Sequence, residues 1–305
     1  MTTNNVVSDQ HSVVIQNQAT GQVDFLRFNG STLQSSVLRD YGLSGWTVIG
    51  SGDFNGDGNA DLVAQNNSSG QLDFLFLNAT GNLTSSALSN VPVPHAVGVG
   101  VFFDSGPAPA GQVGPSVVTQ LANGQIDILG FNASGALVAS DLIAGTVGLP
   151  TAVGVAESFS SWPVFANVGA TGNDSILVQY PDGTMVSLGF SGGVGTGGLS
   201  FTNSFARGPL GDTLFAVDQD NDFAHQRNAN LVSTVDGVSR ETFDAVGINA
   251  ASGNRVDILS WASGYGDLSH EGVFLGTVAT NFSLSTGWQV VDAGIVAHTE
   301  ILPLA

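Results

Sequence analysis

Gly21-Gln-Val-Asp-Phe-Leu-Arg-Phe-Asn29 returns as Gly70-Gln-Leu-Asp-Phe-Leu-Phe-Leu-Asn78 and as Gly124-Gln-Ile-Asp-Ile-Leu-Gly-Phe-Asn132. Gly183-Thr-Met-Val-Ser-Leu-Gly-Phe190 is a worn fourth copy. Each copy follows a β-rich run that ends in Gln: Val13-Val-Ile-Gln16, Leu62-Val-Ala-Gln65, Val117-Val-Thr-Gln120 and Ile176-Leu-Val-Gln179. A short Asn/Ser/Gly turn separates run from copy, which is a β-hairpin signature. In Leu72-Asp-Phe-Leu-Phe-Leu77 the apolar residues fall on both faces, as in a sheet covered on both sides.

Working outward, a second element recurs: Trp46-Thr-Val-Ile-Gly50, His95-Ala-Val-Gly98, Thr151-Ala-Val-Gly154, Asp244-Ala-Val-Gly247 and Trp288-Gln-Val-Val291. It reads as the strand that closes each unit. Units then start near residues 12, 61, 116, 175, 230 and 257, the one beginning near 230 being about half the length of the others. A twisted four-stranded sheet cannot bury either face alone, whereas radial stacking lets each sheet cover its neighbours and ring closure limits exposed edges. The expectation is an all-β fold, a β-propeller of about six repeat units with one shortened, five or seven units remaining open. It would form a single domain over residues 1–305. A β-solenoid and a split into two smaller all-β domains are the alternatives.

Composition narrows the partners. Only 10% of the 305 residues are charged, with a net charge of −19. The six basic residues are all arginine, and only Glu157, Glu241, Glu271 and Glu300 are glutamate among 25 acidic residues. Phosphate recognition needs clustered Lys or Arg, so nucleic acid is excluded as a partner, and anionic membrane surfaces are disfavoured for the same reason. No run approaches the roughly 18 apolar residues of a spanning helix, so membrane insertion is not expected. Asp favours turns and cation-binding loops where Glu favours helices. Cysteine is absent. The N-terminus lacks the basic and apolar regions of a cleavable signal. An acidic chain without lysine or cysteine suits a bacterial protein at the cell surface or outside it, exported without a cleaved N-terminal signal.

The motif that carries chemistry is Gly52-Asp-Phe-Asn-Gly-Asp-Gly-Asn-Ala-Asp61. Oxygen side chains alternate at Asp53, Asn55 and Asp57 and continue at Asn59 and Asp61. A hard cation such as Ca²⁺ takes six to eight oxygens, and a tight loop with alternate ligands turns them inward. Gly56 and Gly58 permit the bend. In this geometry position 59 contributes its backbone carbonyl. The loop is not an EF-hand, since Ala64 stands where a bidentate Glu would be and the flanks are strands. The competing reading is an Asx/Gly-rich turn without metal.

Residues 46–63, Trp46-Thr-Val-Ile-Gly-Ser-Gly-Asp-Phe-Asn-Gly-Asp-Gly-Asn-Ala-Asp-Leu-Val63, resemble the FG-GAP/VCBS-type repeat of bacterial secreted proteins. Similar repeats build the integrin α-subunit propeller, whose Asp-x-Asn-x-Asp-Gly loop binds Ca²⁺. The resemblance implies a propeller, Ca²⁺ at Asp53, Asn55, Asp57, Asn59 and Asp61, and a binding or adhesion role. It weakens beyond residue 142, where periodicity carries more than motif.

Other signals are weaker. Asp218, Asp220 and Asp222 resemble a second Ca²⁺ loop with an insertion after it. Val101 and Glu157 fall where Asp53 sits, and Asn249 to Asp257 keeps only its end residues, so those loops are expected to bind nothing. Asp24, Asp73 and Asp127 share one slot, favoured as a bond to a neighbouring blade over a ligand site. Trp46 and Trp288 are expected in interblade packing, leaving Trp162, Trp261 and Tyr265 as candidate ligand contacts. Gly193-Val-Gly-Thr-Gly-Gly198 matches a dinucleotide fingerprint in letters only, since no helix follows. No triad spacing, G-x-S-x-G or H-E-x-x-H occurs. The expected function is therefore non-enzymatic: an extracellular Ca²⁺-binding module for a glycan or protein ligand. The alternative is a self-associating subunit of an extracellular filament or surface layer, with a polysaccharide-acting enzyme third.

Overall fold

The computed structural model describes residues 10–29, 31–100, 111, 114–143, 146, 148, 152–156, 175–179, 185–191, 198–205, 212–217, 233–235, 238–240, 242–262 and 273–293. Side chains are described within 13–143, 246–258 and 279–292. Strands β1 (Gln10–Asn17), β2 (Val23–Asn29) and β3 (Thr32–Arg39) form a meander. The second sheet is β4 (Trp46–Gly52), β5 (Asp61–Asn66), β6 (Gln71–Leu77) and β7 (Leu83–Pro92). The third is β8 (His95–Gly100), β9 (Ser116–Gln120), β10 (Ile126–Phe131) and β11 (Leu137–Leu142). The fourth is β12 (Ala152–Ala156), β13 (Ser175–Gln179), β14 (Met185–Ser191) and β15 (Gly198–Phe205). Next come β16 (Asp212–Val217) and a separate hairpin of β17 (Ser233–Val235) and β18 (Val238–Arg240). Strands β19 (Thr242–Asn249), β20 (Arg255–Ala262) and β21 (Val273–Ser283) join β16 as the fifth sheet. Finally β22 (Trp288–Ala293) pairs antiparallel with β1 and completes the first sheet.

The innermost strands touch in the order β22, β4, β8, β12, β16 and back to β22. The described residues thus form an all-β propeller-like ring of five four-stranded sheets. The repeats suggest about six, with five or seven left open, and five is the number of sheets found. The difference lies after residue 217. The short unit placed near 230 is the β17–β18 hairpin, inserted between the first two strands of the fifth sheet. Asp244-Ala-Val-Gly247 is not an inner strand either, because it belongs to β19, which pairs with β20 as a hairpin. The segments at Trp46, His95 and Ala152 open the next sheet rather than close the previous one, and the one at Trp288 completes the first.

Alternation along the strands divides the core between adjacent sheets. Leu26 and Phe28 pack with Val246, Ile248, Val256 and Ile258 of the fifth sheet. Val14 and Phe25, on the other face, pack with Leu62, Ala64, Leu75 and Leu77 of the second. Phe74 and Leu72 meet Val117, Leu129 and Phe131 of the third. Trp46 and Trp288 pack against two of these interfaces, as expected.

The recurring Gln stitches sheet to sheet. Gln16 Nε2 donates to the Trp46 carbonyl at 2.9 Å while its Oε1 accepts from Val48 N at 3.0 Å. Gln65 Nε2 donates to the Val93 and Pro94 carbonyls at 3.1 and 2.6 Å, and its Oε1 accepts from Ala96 N at 3.1 Å. One amide thereby satisfies backbone groups at the crossover that no ladder reaches. Gln65→Ala is expected to cost about 1–3 kcal/mol, read as a lower urea midpoint with an unchanged slope.

Candidate metal loop and the repeated carboxylates

The 53–61 loop joins β4 to β5 and is folded on its own side chains. Asp53 Oδ1 accepts from Gly56 N at 2.7 Å and Asp57 N at 3.2 Å, and Oδ2 accepts from Gly58 N at 2.9 Å. Asn55 Oδ1 accepts from Asp57 N, and Asp57 Oδ1 accepts from Asn59 N, both at 2.8 Å. Gly56 and Gly58 take φ of 79° and 85°, the left-handed values that the turn requires. Phe54 turns inward and is buried against Phe74 and the third sheet.

Asp61 is fully buried, and its two oxygens accept from Phe54 N at 3.0 Å and Leu77 N at 2.9 Å. Burial pushes its carboxyl up to about 6 against those two bonds, with Asp57 and Asp53 adding like-charge repulsion. Asp57 is exposed, and the Asn59 backbone N–H holds its carboxyl below the ordinary range. All five expected ligands therefore sit on one loop, with the buried Asp61 at its base. Among the described residues no three His, Cys, Asp or Glu side chains are gathered as a ready-made metal cluster. The oxygens offered here come from Asn and backbone as well as from Asp.

Asp24, Asp73 and Asp127 occupy one slot in three sheets, each half-buried and opposite a leucine on the outermost strand. Their partners lie in the same sheet, not in a neighbouring blade: a serine in each case, with the Val37 and Phe25 backbone N–H groups also at Asp24 and those of Asp141 and Ile128 at Asp127. Ser36 Oγ donates to Asp24 at 2.7–2.8 Å, and Ser140 Oγ to Asp127 at 3.0–3.1 Å. Ser86 plays the same part for Asp73, whose Oδ1 has no hydrogen-bond partner. Burial raises all three carboxyls above the ordinary range. The facing Leu38, Leu88 and Leu142 are 50%, 52% and 48% exposed.

In the fifth sheet the slot is closed. Asp257, read from sequence as the remnant of a degenerate loop, pairs with Ala279 and is buried under Arg255, whose Nε lies 2.6 Å away. Asn249 instead caps a 3-10 turn at Ala250–Ser252. In the fourth sheet Val186 takes the slot, opposite Ser204. The exposed leucines were not read from sequence. The Ser-x-Leu that follows each Asp, at Ser36, Ser86 and Ser140, was the signal available.

Asp218, Asp220, Asp222, Trp162 and Tyr265 lie outside the described residues. Trp261 lies in β20, opposite Phe243 and Phe274. No helix among the described residues is long and apolar enough to cross a membrane.

No family model matches the chain, and no curated protein does. Among solved structures, a protein of unknown function from Bacteroides caccae aligns over 94% of this chain and 98% of its own, at 11% identity and a TM-score of 0.41. A quinoprotein alcohol dehydrogenase-like protein from Bacteroides thetaiotaomicron aligns over 97% and 70%, at 10% identity and a TM-score of 0.31.

Proposed function

We propose that this chain is an extracellular binding or adhesion module of the FG-GAP/VCBS type, rigidified by Ca²⁺ and directed at a glycan or protein ligand rather than at catalysis. One observation carries the metal reading. Asp61 is a buried carboxylate without a cationic partner, repelled by Asp57 and Asp53 from the same loop. Buried charge is costly unless paired, and a divalent cation held by Asp53, Asn55, Asp57, Asn59 and Asp61 would remove that repulsion. The ion would lock the loop onto Phe54 and hence onto the second and third sheets.

Ca²⁺ at about 100-fold over its Kd should stabilise the chain by about 2.7 kcal/mol, a rise of roughly 5 °C in Tm over EDTA. The rise should shrink in acid, because the ligands must be deprotonated. Equal melting temperatures in Ca²⁺ and EDTA, with Asp53→Ala behaving like the parent in both, would remove the metal from this reading.

The second reading, a self-associating subunit of a filament or surface layer, draws on the exposed leucines of the outer strands. Light scattering decides it: a concentration-independent monomer excludes assembly.

A further inference from the structure

We infer that the first three sheets carry equivalent saccharide-binding stations at the seams between blades, each built from the half-buried Asp, the exposed Ser and the exposed Leu of its outer hairpin. This rests on the binding role proposed above and names where and what the chain binds.

Three independent features point there. The register repeats without drift: Asp24 faces Leu38, Asp73 faces Leu88, and Asp127 faces Leu142, with the Ser diagonal to the Asp each time. Directly opposed residues have Cβ atoms about 5 Å apart, so carboxylate, hydroxyl and isobutyl group share one small surface. Each Asp also stands on the face that packs against the preceding sheet, as Leu26 and Phe28, Leu75 and Leu77, and Leu129 and Phe131 show. The group therefore opens at a seam.

The fold itself does not require this arrangement. In the fifth sheet the same Asp is neutralised by Arg255 and buried, with Ala279 opposite it. In the first three sheets a Ser hydroxyl takes the place of that cation, joined by backbone N–H groups at Asp24 and Asp127, and a large apolar side chain stands half in water.

The chemistry selects the occupant. A carboxylate has about four acceptor sites: at Asp73 one Ser hydroxyl leaves most of them, and at Asp24 and Asp127, which also accept from two backbone N–H groups each, acceptor capacity remains for an O–H or N–H donor. The leucine offers apolar cover for the C–H face of a sugar ring. The chain's net charge of −19 repels phosphate, sulfate and uronate groups. A neutral sugar with neighbouring hydroxyls fits all three groups. Three stations on consecutive blades favour a repetitive ligand, since linked sites gain through effective concentration.

The test uses the full chain in Ca²⁺ against an immobilised glucan, galactan and mannan, with heparin as anionic probe and poly-lysine as cationic probe. The stations predict binding to at least one neutral polysaccharide. Each single change, Leu38→Ser, Leu88→Ser or Leu142→Ser, should lower apparent affinity by up to about tenfold, and the triple variant by about a hundredfold or more. Because these leucines are exposed, the triple variant should keep the parent's melting temperature and its response to Ca²⁺. Asp73→Asn, which preserves shape, should weaken binding without altering the fold. Neutral-polysaccharide binding that survives the triple variant overturns the stations and leaves the binding role standing. A parent chain that binds none of the neutral polysaccharides overturns the stations together with the glycan reading. Poly-lysine bound through the same leucines overturns the saccharide as occupant.

Discussion

Phe74→Ala should destabilise the chain by about 3–5 kcal/mol, as removal of a fully buried aromatic ring does. Phe74 is 2% exposed, with its ring 5.1 Å from Phe54 at 61° and 5.2 Å from Phe131 at 51°. Both contacts lie within the tilted geometries that aromatic pairs prefer. The three rings tie the Ca²⁺-candidate loop, the second sheet and the third sheet into one column, and the truncation leaves a cavity at its centre. A double-mutant cycle of Phe54→Ala and Phe74→Ala should therefore show coupling of about 0.5–1.5 kcal/mol in denaturant titrations. Additive losses would mean that the loop is not anchored through this ring.

Gly21→Ala is the second large effect, at about 3 kcal/mol or more. Two costs combine here. Gly21 has φ of 77°, and a Cβ there would lie 2.2 Å from the Leu43 carbonyl carbon, which is backbone and cannot swing aside. Strain of this kind costs roughly 1–3 kcal/mol before the crossover is displaced. Gly42 provides the control: its φ is 74°, with nothing within 4 Å of the added Cβ. Gly42→Ala should cost only about 1 kcal/mol. Equal losses at the two positions would show that the close approach to Leu43 contributes nothing. Gly70, at φ of 73° and 2.5 Å from the Val93 carbonyl oxygen, repeats the arrangement one sheet later.

These two positions explain why the first half of the fold was legible. The repeated Gly-Gln-apolar-Asp is a set of structural requirements written in order: a left-handed glycine under the crossover, then a core side chain on one face and the slot Asp on the other. Where those requirements are met by other residues, the pattern disappears from the sequence while the geometry persists. In the fifth sheet Asn254 takes the left-handed position with φ of 59°, which Asn tolerates better than most residues. The copy there reads Asn254-Arg-Val-Asp257. With its glycine replaced and a hairpin inserted upstream, that unit broke the period and inflated the blade count.

The loop at 53–61 was readable for the same reason as the hairpins, since its ligand pattern is local in sequence. Its anchoring was not. That Phe54 turns inward onto Phe74 and Phe131 depends on the second and third sheets meeting, a contact no local pattern encodes. The exposed leucines escaped notice because a single surface leucine is ordinary. They gain meaning only when the register shows three of them in the same place.

The pairing of β22 with β1 has a mechanical consequence. The two strands run antiparallel, with Val13 opposite Ala293. The outward ends of the chain therefore leave the first sheet from the same end of that pair. A force that draws the two ends apart meets the ladder as a zipper, loading one pair of hydrogen bonds at a time rather than the whole strand in shear. Tethered by both ends, the ring would open at this seam under low tension. Held by one end and loaded through a ligand on its rim, it would carry tension with the clasp between β1 and β22 closed.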